Sequence, residues 1–176
     1  MIRPVAIQLP PIVRPAARRS VLDITEFYGP TSGGIRTYLS QKAAWLRGQE
    51  WARQVIVVPG PRDAVDDDPT GASRRYSLKG PPVPGQAPYR FFLATASTRR
   101  IFVHEKPDLI ELGSPGLVPW IAARAARGTD VPMIAFFHSN FPRIFNPFPE
   151  RTGGLRRLAT DALWKYVKYI DRFAQV

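Results

Sequence analysis

The sequence predicts an α/β fold: a doubly wound, mainly parallel sheet with helices on both faces. Three observations predict it. Short apolar runs such as "SVLDIT", "RQVIVVPG" and "VPMIAFF" recur along the chain, and strands of a parallel sheet, buried on both faces, read in that way. Stretches of helical period lie between most of these runs. Glycine and proline mark the turns that separate the two kinds of segment. With 176 residues, 44% apolar content and four tryptophans, the chain suits one domain with a substantial core.

Taken in order, Ser20 to Thr25 form the first expected strand. Ile35, Leu39, Ala43 and Leu46 then share one helical face, and Gly48 marks that helix's end. "RQVIVVPG" is the second strand, stopped by Pro59 and Gly60. Residues 60–88 read as irregular, because "GPRDAVDDDPTGAS" and "KGPPVPGQAP" have loop composition, with a short strand at Arg74 to Leu78. A long helix is expected from Gln86 to Glu105, burying Tyr89, Phe92, Leu93, Ala96 and Val103.

A strand from Asp108 to Leu112 follows, then the helix "LVPWIAARAARG" closed by Gly128, then the strand that ends just before His138. The last helix runs from about Gly154 to Arg172, with Leu155, Leu158, Ala162, Leu163, Tyr166, Val167 and Ile170 turned inward. "DRFAQV" reads as the start of a further strand, so the chain is expected to be the first part of a longer protein. This order implies a Rossmann-like layer. Such sheets bind ligands beyond the carboxyl ends of their strands. Three places qualify: the Gly33-Gly34 turn, the turn after Leu112, and His138 with its neighbours.

The net charge is +11, but it is concentrated at the ends. Residues 1–20 carry Arg3, Arg14, Arg18 and Arg19 and no acid. Residues 151–176 carry six basic side chains against Asp161 and Asp171. That pattern suits tails near a phosphate-rich surface better than a groove that reads bases, so nucleic acid is not expected as a partner. Residues 1–19 read as a flexible basic arm, because prolines interrupt any apolar core of a signal peptide. No run approaches the roughly 20 apolar residues of a membrane span. The absence of cysteine excludes disulfides and thiolate metal sites.

The candidate residues each admit two readings. Gly33 and Gly34 either let a helix N-terminus approach a phosphate, with Arg36 adding a charge-assisted bond, or simply form a tight turn. Neither the dinucleotide fingerprint nor the Walker motif is present. His138 either contacts substrate or caps a strand. Glu111, in a buried strand beside Ser114, is expected to be structural, as is Asp23. His104 is expected at the surface. Asp66, Asp67 and Asp68 are expected to be solvated, and neither a metal site nor a cofactor is expected.

Together "TEFYGPTSGGIRTYL", "KPDLIELGSP" and "IAFFHSNFP" resemble the N-terminal domain of family-four retaining glycosyltransferases, enzymes of the B-type with two facing Rossmann-like domains. The likeness spans about residues 20–176 and is nearest to lipid- or glycan-mannosylating members. It implies that Gly33, Gly34 and Arg36 face the donor diphosphate, and that His138 lies at the reaction centre. Ser139, Asn140 and Ser114 would then line the acceptor cleft. The family's second domain, with its E-x7-E glutamates, has no counterpart in this sequence.

The resemblance therefore implies the acceptor-side half of an enzyme that moves a hexose from a nucleotide sugar to a glycan or lipid. Alone, without a C-terminal domain or partner chain, it would be inactive. A cytoplasmic location follows, with the basic arm and last helix available for peripheral contact with anionic lipid. The alternative is a stand-alone anion-binding or partner-docking module, or a degenerate remnant.

Overall fold

The computed structural model describes residues 9, 18–29, 33–136 and 152–170. Within them a six-stranded sheet is built from β1 (Arg19–Ile24), β2 (Ala52–Gly60), β3 (Ala64–Asp67), β4 (Ser73–Lys79), β5 (Leu109–Leu112) and β6 (Met133–Ala135). The strand order is β3-β4-β2-β1-β5-β6. All neighbours pair in parallel except β3, which runs antiparallel to β4 at the edge. Among the described residues four helices accompany the sheet: α1 (Gly33–Arg47), α2 (Thr95–Glu105), α3 (Val118–Ala125) and α4 (Gly153–Ile170). The expected α/β class, with helices on both faces of a mainly parallel sheet, is what forms.

Strand alternation sorts the side chains onto the two faces. Leu22 and Ile24, Val55 and Val57, Tyr76 and Leu78, and Ile110 and Leu112 point to one side, where Ile101 and Phe102 of α2 and Val118, Ile121 and Ala122 of α3 cover them. The opposite face has a much smaller apolar core, in which Leu39 of α1 packs on Ile56 and Val58 with help from Tyr28, Ile35 and Tyr38. Every residue of β2 is buried, as befits a central strand.

Three expectations need correction. The stretch read as loop holds β3, whose Asp66 and Asp67 stand opposite Arg75 and Arg74 of β4. Asp66 and Asp67 are exposed as expected and Asp68 is mostly covered; all three meet guanidinium groups, Asp66 with Arg75, Asp67 with Arg74, and Asp68 with Arg47. β3 also supplies the return between β2 and β4, so that crossover is a strand and not a helix. The helix expected from Gln86 begins only at Thr95. Pro88, inside the expected helix, cannot donate to a helical ladder, and the 80–94 segment folds back on itself instead, with Val83 N–H on Tyr89 O and Phe91 N–H on Pro81 O. Phe92 is buried as expected, but Leu93, Ala96 and Val103 are exposed, and the covered face of α2 is Thr98, Ile101, Phe102 and Glu105.

The third correction concerns α4. Its expected inward residues Leu155, Leu158 and Ala162 are exposed; Leu163 and Tyr166 are half-buried, and Val167 is buried. Contact comes from the C-terminal half, where Tyr166 donates to Gly116 O at 2.7 Å and Trp120 Nε1 donates to Tyr166.

At the end of the sheet where β2 and β4 begin, Glu105 is fully buried. Arg74 Nη1 donates to it at 3.0 Å, Arg53 Nη2 lies 3.0 Å away, and the Tyr76 hydroxyl bonds the same carboxylate. Arg53 and Arg74 are themselves buried. Removing the acid would take the buried carboxylate from two buried guanidinium groups and leave Arg74 with the more exposed Asp67. We expect Glu105→Ala to cost about 3–5 kcal/mol in chemical denaturation. A loss within the scatter of surface substitutions would show that the cluster does not hold the fold.

Candidate functional site

The parallel strands end on a common edge, and the chain leaves β1 there as Thr25-Glu26-Phe27-Tyr28-Gly29. Two close approaches shape this segment. A Cβ on Gly29 would lie 2.8 Å from Pro88 Cγ, so only glycine lets the 80–94 segment pack over the end of β1. A Cβ on Gly116 would collide with the Glu26 carboxylate. Glu26 accepts from Leu117 N–H at 3.3 Å, at the start of α3, where the helix's partial positive charge favours an anion. Burial nevertheless pushes the Glu26 carboxyl above its ordinary range, against the opposing pull of those N–H groups and the Ser114 hydroxyl. Ser114 is buried, and its Oγ accepts from Glu26 N–H at 3.2 Å.

Gly33 and Gly34 open α1, with Arg36 in its first turn. Neither glycine is among those with positive φ, and a Cβ added to either meets no described atom within 4 Å. The fold thus shows neither a left-handed turn nor a close chain contact that would require glycine at these two positions. Arg36 lines a cavity of about 440 Å³ together with Tyr28, Gly29, Arg75 and Arg90. A second cavity, about 410 Å³ and more apolar, is lined by Glu26, Phe27, Tyr89, Phe91, Leu117 and also Arg90. Gly33 and Gly34 do not line either of them. His138, Ser139 and Asn140 lie outside the described residues.

Beneath α1 sits a buried polar cluster. Asp23 and Glu111 are cross-strand neighbours on β1 and β5, and both reach Lys42 of α1. Lys42 Nζ donates to Asp23 Oδ1 at 2.7 Å and to Glu111 Oε2 at 3.0 Å. Gln54 donates to Asp23 Oδ2 at 2.7 Å, and the Tyr38 hydroxyl to Glu111 Oε1 at 2.8 Å. Tyr38 also stacks on Phe136, with ring centroids 5.2 Å apart. One lysine thus serves two carboxylates. Burial, together with the charge of Glu111, outweighs Lys42 and pushes Asp23 up to about 7. Burial lowers the Lys42 pKa, but the two acids more than offset it and hold it above the ordinary value.

Asp23 and Glu111 are therefore structural, as expected from the sequence. Their shared lysine was not foreseen. The signal was present, since Lys42 falls between Leu39 and Leu46 on the covered face of α1, and a cation in an apolar stripe needs a buried partner. His104 is half-exposed. Among the described residues no cluster of His, Cys, Asp or Glu has the makings of a metal site.

Residues 33–173 match the glycosyl transferase 4-like domain family. The chain belongs to that family. No curated protein matches it. The match begins at Gly33, the first residue of α1, and extends past β6 and α4. This glycosyl transferase 4-like domain therefore has a glycosyltransferase-type function, and its Rossmann-like sheet directs the open N-terminus of α1 to the edge where such layers take their ligands.

Two outcomes follow from this geometry. Gly116→Ala should displace Glu26 and lower the thermal midpoint, whereas Gly34→Ala should leave it unchanged or raise it, since alanine in a helix gains roughly 0.5–1 kcal/mol over glycine. Equal effects in the two variants would contradict the close packing at Gly116. The second outcome concerns pH. Asp23 binds its proton more tightly folded than unfolded, so its contribution is fully present below its unfolded value of 3.8 and is lost as pH rises through about 7. Denaturation midpoints measured from pH 4 to pH 8 should fall over that window and be flatter in Asp23→Asn. An unchanged slope in the variant would assign the effect elsewhere.

Proposed function

We propose that this chain is the N-terminal, acceptor-side half of a retaining, B-type glycosyltransferase. It takes a hexose from a nucleotide sugar to a glycan or lipid acceptor, in the manner of mannosyltransferases. Residues 1–19 form a basic arm, and residues 20–176 form the domain. The observation that carries this reading is the pair of glycines at the N-terminus of α1. They make room that no described part of the chain fills, at the positive end of a helix, on the sheet edge where Rossmann-like layers take ligands.

In this reading the diphosphate of the donor lies against Gly33 and Gly34, with Arg36 beside it. As the glycosidic bond to phosphate breaks, negative charge grows on the departing diphosphate. The helix dipole and the guanidinium stabilise it where it develops. His138 follows β6 and contacts the transferred sugar and the acceptor hydroxyl, while Ser139 and Asn140 orient the acceptor and the buried Ser114 acts only through Glu26, whose N–H it accepts. Donor and acceptor must be held together in a dry cleft for positioning to lower the barrier, so the chain by itself is inactive and depends on a donor-binding half. Among the described residues no helix is long and apolar enough to cross a membrane. The protein works in the cytoplasm, and the basic arm supplies any contact with anionic lipid.

The test uses the chain joined to, or mixed with, a donor-binding half. Gly34→Val should raise KM for the nucleotide sugar by roughly tenfold or more, because its side chain occupies the phosphate's approach. His138→Ala should lower kcat by about 10²-fold or more. Wild-type kinetics from both variants, in correctly folded protein, would overturn the assignment.

A further inference from the structure

The cavity of about 440 Å³ gathers three arginines from three separate parts of the fold: Arg36 from α1, Arg75 from β4 and Arg90 from the 80–94 segment. Its described lining contains no carboxylate. Its size falls in the range of small-molecule sites, about 300–1,000 Å³. Guanidinium groups facing one cavity repel each other, and an anion between them reverses the sign of that interaction.

Two of the three are held in place by contacts outside the cavity's centre. Arg75 directs Nε and Nη2 to Asp66 Oδ2, at 3.1 and 2.6 Å, and Nη1 to the Tyr28 hydroxyl at 3.0 Å. Its guanidinium also lies over the Tyr28 ring, 5.7 Å from the centroid. Asp66 stands directly across the β3–β4 ladder from Arg75, so strand register sets this contact. Arg90 donates one N–H to Gly80 O at 2.8 Å, and an isolated bridge between Pro82 and Arg90 fixes its backbone. Such tethering lowers the entropy lost when a guanidinium fork receives a phosphate.

We infer that this cavity binds the phosphate of the acceptor, so that the acceptor is a phosphorylated molecule and not a neutral sugar. The inference rests on the proposed transfer function and adds the acceptor's chemical class to it. The donor diphosphate is assigned to Gly33, Gly34 and Arg36; neither glycine lines the cavity, Arg36 stands where the two sites meet, and Arg75 and Arg90 are left to the acceptor. Besides the arginines, the cavity's lining includes Pro59 and Gly60 at the end of β2, Pro61, Ser77 and Pro88. The more apolar cavity adjoins it through Arg90 and takes the less polar part of the same acceptor.

The chemistry recognised is a phosphate ester, borne by a soluble sugar phosphate or by a phospholipid headgroup. Titration calorimetry of the full chain with glucose 6-phosphate and with glucose distinguishes ester from sugar, and sedimentation with phosphatidylglycerol vesicles tests the lipid source. Binding of glucose 6-phosphate but not glucose is expected, with a loss of roughly tenfold or more in Arg75→Gln and in Arg90→Gln. Binding to vesicles alone, lost in the same variants, also supports the inference and names a lipid acceptor. Arg90→Gln leaves the Asp66 pair intact, so an unchanged thermal midpoint there separates lost binding from lost folding. If uridine or guanosine diphosphate displaces glucose 6-phosphate and weakens equally in both variants, the cavity holds the donor. That result overturns the inference while leaving the transferase reading in place. No binding of either phosphate source, or wild-type binding by both variants, overturns it as well. Failure of the transfer reading itself would appear separately, as unaltered kinetics in Gly34→Val.

Discussion

The position of α1 depends on one lysine shared between two buried carboxylates. The face of the sheet that α1 covers has only a small apolar core, with Leu39, Ile56 and Val58 at its centre. Apolar burial is not directional, and so small a core does little to set the helix's rotation or its advance along the strands. The bonds from Lys42 to Asp23 and Glu111, and from Tyr38 to Glu111, are directional and short. They tie one side of α1 to the neighbouring strands β1 and β5. Whatever meets Gly33, Gly34 and Arg36 meets them where this anchor places them. The cost is desolvation of charged groups, which ion pairing more than offsets for Lys42 and only partly for Asp23. An all-apolar interface would avoid that cost and lose the fixed geometry.

The same residue type plays opposite parts on the two faces of the sheet. At the edge where β2 and β4 begin, Arg53 and Arg74 close on the buried Glu105. Charge is matched inside the chain, and the cluster holds α2 against the strands. On the face that α1 covers, Arg36, Arg75 and Arg90 border a cavity whose described lining has no acid. Arg74 and Arg75 are sequence neighbours, and strand alternation alone sends one to the structural cluster and the other to the cavity. The sheet thus separates the structural cluster from the cavity by a single residue of register.

The family motifs and the central strands were legible because their signals are local. β1, β2 and β5 are apolar runs, and α1 repeats its apolar residues at helical spacing. β3 was not legible: "AVDD" lies at an exposed edge, and its acids are balanced by arginines on a strand still to come. The covered face of α2 was misjudged because two of its four buried residues, Thr98 and Glu105, are polar. The apolar stripe of α4 read as core-facing because periodicity records amphipathicity and not what lies opposite.

The sequence by itself determined the alternation of strands and helices, the parallel sheet and the glycine pair at the head of α1, since these depend on spacing within a few residues. Only the tertiary structure decided which charges meet. Asp23 and Glu111 become neighbours through the pairing of β1 with β5, and Arg36, Arg75 and Arg90 through the packing of three segments distant in sequence. Chain geometry ties a charged side chain to its local segment and leaves its partner to the fold. Long-range partners follow from strand order and register, and no local pattern of residues encodes either.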